Sequence, residues 1–315
     1  MAKQERFWTG LITIGDEGDG VSHSLIGSGW KVKFEYQREK PSSVHDGREV
    51  VVYAKNWYSA QRTLDLIEGC HEVLLGNPPI FPMHLVAHNK TEPSWMNQDE
   101  RQALSEGNYC ITGFPRACSI AKKATRRRKW IYAIAKYRFS TSLFAIHGAD
   151  LEPFRSPNLP ISQFPRDHIT FSHAIISAYS AIEELGLEIR ASSQRPSRIN
   201  GQWNPIVKQE LESRLQNAGV NLSETILWTM RGPKRRIEKK RPVPAKGKAT
   251  WSAWTVRDSE LHISDAIAYA DWLRDCVASH SVKHLTRGLS PYDVVNVQHL
   301  ARRLILESLG YWCHF

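Results

Sequence analysis

The stretch 261–312 constrains the chain most. Apolar residues recur there at helical spacing: Ile263, Ala266, Ile267, Ala270, Leu273 and Val277, then Val294, Val297, Leu300, Ala301, Leu304, Ile305 and Leu309. Intervals of three and four put each set on one face, which predicts two helices that must bury those faces against other elements. Ser264 and Asp265 stand where they cap the first helix, which runs through Trp272 to about His280. Gly288 and Pro291 then break the chain, Ser290 caps the second helix and Gly310 ends it.

With 315 residues the chain has room for two domains or one large one. A net charge of +10 favours a polyanionic partner, with nucleic acid as the first candidate. The five Cys are odd in number and none forms CxxC spacing, which argues against a disulfide framework and a cysteine-rich zinc site. A reducing, cytoplasmic setting fits best. No run reaches the roughly 18 apolar residues of a membrane span. The opening MAKQERFWTGL also lacks the apolar core of a signal peptide. GxGxxG, GxxxxGK[ST] and GxSxG are all missing, so nucleotide-fuelled chemistry and ordinary serine hydrolysis find no support, and no cofactor is expected.

Residues 7–55 read as β: FWTGLITIG, WKVKFEYQ and EVVVYAK are short, rich in β-branched and aromatic residues, and separated by turn-forming segments. GDEGDG (15–20) has neither the Asp spacing nor the terminal Glu of a calcium loop and reads as a turn. Residues 56–75 read as a helix with Ala60, Leu64, Ile67 and Val73–Leu75 inward. His84 and His88 lie four apart without an identifiable third ligand, so they read as structural rather than as a metal site. A long helical region from about Phe114 to Leu143 comes next, with Ile120, Ala121, Ala124, Ile131, Ala135 and Phe139 as its buried side. The Pro-rich stretch 150–166 is the best internal boundary. Beyond it come helices over about 168–189 and 205–218, a loop at 192–205 and a short element from Ser223 to Trp228. The fold class is therefore α+β, predominantly α, with a β-containing N-terminal domain over 1–150 and a helical C-terminal domain over 151–315.

Two cationic clusters stand out. Arg126, Arg127, Arg128 and Lys129 follow Lys122 and Lys123 and precede Trp130, Tyr132 and Tyr137. Cations beside aromatics suit phosphate contact with base stacking, and the bland alternative is a solvated helix face. Lys234, Arg235, Arg236, Lys239 and Lys240 belong to a Pro- and Gly-flanked run over 231–248, which reads as an exposed loop. That loop is either an RNA-binding arm or a solubilising segment.

The first C-terminal helix carries Arg274-Asp-Cys-Val-Ala-Ser-His280 near its end. An arginine, a polar residue after it and a histidine six positions on, with a further helix beyond, resemble the R-x(4–6)-H signature of the HEPN superfamily, whose active members are mostly metal-independent ribonucleases. The resemblance implies a helical bundle, a homodimer that lines one groove with both motif pairs, and Glu183 on the preceding long helix as an orienting acid. It also implies toxin or anti-phage activity against tRNA or another RNA, under the control of a regulatory partner protein. Independently of the family, an imidazole suits proton transfer at neutral pH and a guanidinium suits phosphate oxygens. His280 is thus the candidate general base or acid, Arg274 the phosphate clamp and Asp275 a positioning group. Attack of the 2′-hydroxyl would leave a 2′,3′-cyclic phosphate and a 5′-hydroxyl, without a metal. Positions six apart lie about 120° apart around a regular helix. Either the helix loosens near Ala278–Ser279, or two copies share the cleft, as the resemblance implies. His284 and His299 are rival histidines, and Tyr292 is either a phosphate contact or a packed residue. The alternatives are a non-catalytic nucleic-acid-binding protein and a dimerisation module with the same helical fold.

Overall fold

The computed structural model describes residues 6–12, 24–27, 30–36, 48–54, 57–76, 86–87, 114–145, 165–231, 235–238, 241–244, 256–278 and 289–312. Within them the chain is mostly helical, with small antiparallel sheets. It divides into two compact units, Met1–Leu75 with Pro79–Arg128, and Gly76–Pro78 with Lys129–Phe315. The division falls after Arg128, where the sequence suggests 150; the Pro-rich segment 151–164 lies outside the described residues.

In the first unit, β1 (Arg6–Ile12), β2 (Ser24–Gly27), β3 (Trp30–Tyr36), β4 (Arg48–Ala54) and β5 (Val86–Ala87) form one sheet in the order β2-β3-β4-β1-β5. All its pairings are antiparallel, with Thr9 opposite Val51 and Val32 opposite Val52. The sequence predicts β1, β3 and β4; β2, of four residues, is too short to stand out. Helix α1 (Trp57–Leu75) buries Ala60, Leu64, Ile67, Val73 and Leu74 as the spacing requires, while its last residue Leu75 is exposed. Helix α2 (Phe114–Ala124) packs on α1, and burial pushes the Cys70 and Cys118 thiols well up, away from reactivity.

The single helix expected over 114–143 is two. Thr125–Arg127 form a turn, with Arg126 N–H donating to the Lys123 carbonyl at 3.1 Å, and α3 restarts at Arg128 and ends at Leu143. An unbroken helix would stack Lys122 on Arg126 and Lys123 on Arg127 at i,i+4, a repulsive spacing. The break shifts the helical phase of α3 relative to α2. Trp130, Ala133, Ile134, Tyr137, Ser140 and Thr141 are the buried residues of α3, whereas Ala135 and Phe139 are exposed and Ile131 is half-buried.

The second unit is built on α4 (Pro165–Leu185), which packs against α6 (Ile263–Ala278) and α7 (Pro291–Leu309). It starts three residues before the expected His168, because proline is well suited to a first helical turn. Ala174, Ala178 and Ala181 are fully buried and let neighbours approach closely. On another side α3 is tied on by Ser140 Oγ donating to the Ala174 carbonyl (2.7 Å) and Ser177 Oγ to the Lys136 carbonyl (2.8 Å). Gly186 ends α4 at φ 77°, a conformation that glycine adopts without strain.

The loop expected at 192–205 holds a hairpin, β6 (Arg198–Ile199) and β7 (Gln202–Trp203), turning at Asn200 (φ 51°) and Gly201 (φ 86°). Asn204 then caps α5 (Pro205–Asn217), accepting from Ile206 N–H at 3.1 Å. Strand β8 (Thr225–Arg231) pairs with β11 (Val256–His262), and the intervening cationic run holds a ladder of β9 (Arg235–Glu238) with β10 (Arg241–Pro244) rather than loop alone. Because β11 runs directly into α6, the helix begins ahead of the two expected caps. Ser264 is buried, and Asp265 instead accepts from Trp203 Nε1 (2.7 Å) and Arg198 Nη2 (3.1 Å) of the hairpin.

Helix α7 matches its sequence reading closely. The Asp293 carboxylate accepts from both the backbone N–H and the Oγ of Ser290 (2.9 and 3.0 Å), and Gly310 ends the helix at φ 69°. Its apolar face is fully buried. On its other side the buried Arg303 donates to Glu307 Oε1 (2.7 Å), Glu224 Oε2 (2.7 Å) and the Thr225 carbonyl (2.6 Å). Among the described residues no helix is long and apolar enough to cross a membrane. Truncating Arg303 strands two carboxylates, so Arg303→Ala should cost about 3–5 kcal/mol in urea unfolding. A loss below about 1 kcal/mol would contradict this wiring of α7 to β8.

Candidate functional site

Arg274 sits one turn before the end of α6, facing α4. Its Nη2 donates to Asp271 Oδ1 at 2.8 Å, its Nη1 lies 3.3 Å from Asp275 Oδ1, and Glu183 Oε1 of α4 stands 3.8 Å from Nη2. The guanidinium lies over the Tyr179 ring at 4.9 Å, and Tyr179 Oη donates to the same Asp271 oxygen at 2.8 Å. Tyr179 and Glu183 are four apart on α4, and Asp271, Arg274 and Asp275 fall at i, i+3 and i+4 on α6, so two regular helices present the whole cluster. The side chain of Arg274 is 32 % exposed, that of Asp275 63 %. Arg274 is half open to water, and one of its carboxylates is mostly in it.

The electrostatics derive from that placement. Burial raises the Asp271 carboxyl above its ordinary value, against the Tyr179 hydrogen bond and the Arg274 charge. Burial likewise raises the Tyr179 phenol, so it remains a donor. For Arg274 burial pulls downward, but the Asp271 and Asp275 carboxylates outweigh it, and the guanidinium holds its proton more tightly than usual. Three carboxylates around one guanidinium leave a surplus of negative charge. The Asp275 pair is the weakest of the three, because an exposed ion pair is worth only about 0–1 kcal/mol.

His280 and His284 lie outside the described residues, as do Lys234, Lys239, Lys240, His84, His88 and the GDEGDG segment. Arg235 and Arg236 lie on β9. Arg126, Arg127 and Arg128 are exposed, in the turn and at the start of α3. Lys129 instead donates to the Leu185 carbonyl at 3.2 Å, at the end of α4. Two of the three aromatics expected beside them for base stacking are buried, Trp130 and Tyr137; Tyr132 is 42 % exposed. Tyr292 is packed in the core. Among the described residues no group of His, Cys, Asp and Glu is arranged to hold a metal. Comparison with protein-family models, with curated proteins and with solved structures finds no match.

Two members of the cluster escape sequence reasoning. Tyr179 counts as a core residue by its spacing, and Asp271, three positions before Arg274, becomes visible only when the partner helix is in place.

His299, the rival histidine, lies on α7 near Trp312, Arg302 and Arg303. Burial, with help from both arginines, pushes its pKa down to about 4 from an ordinary 6.5. The unfolded chain then binds the proton more readily than the folded one. Stability should therefore be full above about pH 6.5 and fall as the pH drops towards about 4. Thermal unfolding across that window should show a shallower decline for His299→Gln than for the wild type, and equal slopes would refute the shift.

Proposed function

We propose that the protein is a metal-independent endoribonuclease of HEPN type, with Arg274 as phosphate clamp and His280 as the proton-transferring group. The observation that carries this reading is the half-open Arg274 guanidinium, fixed over Tyr179 and approached by Glu183 from the preceding long helix. A catalytic arginine needs a set orientation and access for phosphate, and the fixed, half-open guanidinium supports this reading. The exposed Arg126, Arg127 and Arg128 and the net charge of +10 suit a polyanionic substrate.

In the reaction His280 takes the proton of the 2′-hydroxyl and the 2′-oxygen attacks the adjacent phosphorus. The P–O5′ bond breaks, the 5′-oxygen leaves with a proton from water or from the His280 imidazolium, and a 2′,3′-cyclic phosphate remains. Arg274 exchanges Asp275 for a phosphate oxygen and neutralises charge that grows in the transition state. Two copies sharing one groove would let Arg274 of one chain meet His280 of the other, since positions six apart lie about 120° apart on a regular helix. In this reading the cut RNA is tRNA or another cellular RNA, and the biological outcome is growth arrest.

A second reading, RNA binding without cleavage, is favoured by the carboxylate surplus around Arg274, which repels phosphate. Incubation of the full chain with total RNA in EDTA separates the two. The first reading expects cyclic-phosphate ends from the wild type and a loss of about 10²–10⁴-fold for His280→Ala and for Arg274→Ala. Salt-sensitive binding without cleavage, unchanged in His280→Ala, would leave only the second.

A further inference from the structure

Strand β8 has an outer edge that faces α7. There the Thr229 N–H donates to Asn296 Oδ1 (3.0 Å) and the Thr229 carbonyl accepts from Asn296 Nδ2 (2.7 Å). Four residues earlier the Thr225 carbonyl accepts from Arg303 Nη1. Both residues thus turn their backbone away from β11. Backbone groups alternate sides along an antiparallel strand, so Leu227, between them, turns its N–H and C=O the same way. Among the described residues no hydrogen bond completes that pair. Beside it lies a cavity of about 390 Å³, lined by Ile226, Leu227, His299, Arg303 and Trp312 among others.

Arg303, Glu224 and the Thr225 carbonyl at this cavity are bonded to one another, but two further polar groups beside it are not. Trp312 Nε1 is buried without a partner, and no hydrogen bond reaches the His299 ring among the described residues. At neutral pH His299 is uncharged, because burial and its two arginine neighbours depress its pKa, so the ring offers one donor and one acceptor.

We propose that this cavity is a nucleobase pocket, in which a base edge pairs with the Leu227 N–H and C=O as the Asn296 carboxamide pairs with Thr229. A base carries the same adjacent donor and acceptor in a rigid plane, and the cavity is far larger than one amide group needs. The His299 imidazole supplies a flat surface and polar contacts, while Arg302 and Arg303 lie over the Trp312 ring at 5.6 and 5.5 Å. Arg302, 5.6 Å from the Trp312 ring, places positive charge nearby for the nucleotide's phosphate. An added peptide strand does not fit, because it needs several consecutive free backbone pairs, and those at Thr225 and Thr229 are already engaged. The pocket is built from β8, α7 and the residues that flank them, and does not depend on cleavage by Arg274 and His280; if cleavage occurs, it gives the protein a means of choosing a base.

The test is isothermal titration calorimetry of the full chain with AMP, GMP, CMP and UMP, with ribose 5-phosphate as the base-free control. At least one mononucleotide should bind at one site and ribose 5-phosphate should not. Leu227→Pro removes an N–H that the β8–β11 ladder does not use, and His299→Phe fills the cavity. Each should weaken binding at least tenfold, while Lys208→Ala, on the exposed side of α5, leaves it unchanged. Circular dichroism confirms that each variant is folded, and if Leu227→Pro is not, His299→Phe decides alone. Absence of binding at millimolar nucleotide, equal binding of ribose 5-phosphate, or unchanged affinity in the folded variants overturns the pocket. Loss of binding in Arg274→Ala would instead place the nucleotide at the α4–α6 cluster.

Discussion

The link between α7 and β8 in the C-terminal unit depends on one buried guanidinium. Arg303 joins two carboxylates and a strand carbonyl with its side chain only 4 % exposed, and so fixes α7 to β8 at the point where β8 begins. The apolar face of α7 can then press on α4, and α4 in turn packs against α6. A charge buried this deeply must keep its partners, since removing one leaves another uncompensated. The neighbouring Asn296 repeats the arrangement in neutral form, its carboxamide closing the backbone pair of Thr229.

Arg274 is the counter-example within the same unit. It too is surrounded by carboxylates, but its side chain is 32 % exposed and the most accessible partner, Asp275, is mostly in water. Water screens that pair and weakens it. Tyr179 and Asp271, more deeply placed, hold the guanidinium in position. Burial thus separates an arginine that holds the fold from one that stays half open to water, though both are surrounded by acids.

How much of this is legible in the sequence depends on how local each signal is. Helix α7 can be read from its Ser290 cap to its Gly310 end because both signals lie within one turn of it. The spacing assigns α3 the wrong buried face, because a three-residue turn at Thr125–Arg127 shifts the phase without any Pro or Gly to mark it. The Asn200-Gly201 hairpin carries its usual turn dipeptide, a legible signal inside a stretch that reads as loop. The pairing of β8 with β11 joins segments on either side of the cationic run and leaves no periodic trace in either. At the candidate site, Arg274 and Glu183 come from a motif resemblance, and the Tyr179 stacking from tertiary packing alone. The open edge at Leu227 is a property of two elements together, so no reading of one stretch contains it.

In the proposed reaction Arg274 releases an acid and takes up a phosphate within reach of His280. A crystal structure with an oligoribonucleotide that lacks the attacking 2′-hydroxyl at one position measures this directly. The expected result is a phosphate oxygen on Arg274 in place of Asp275, with His280 of the same or a second copy about 3 Å from the vacant 2′ position. An oligonucleotide bound elsewhere, with Arg274 still paired to all its acids, would contradict it.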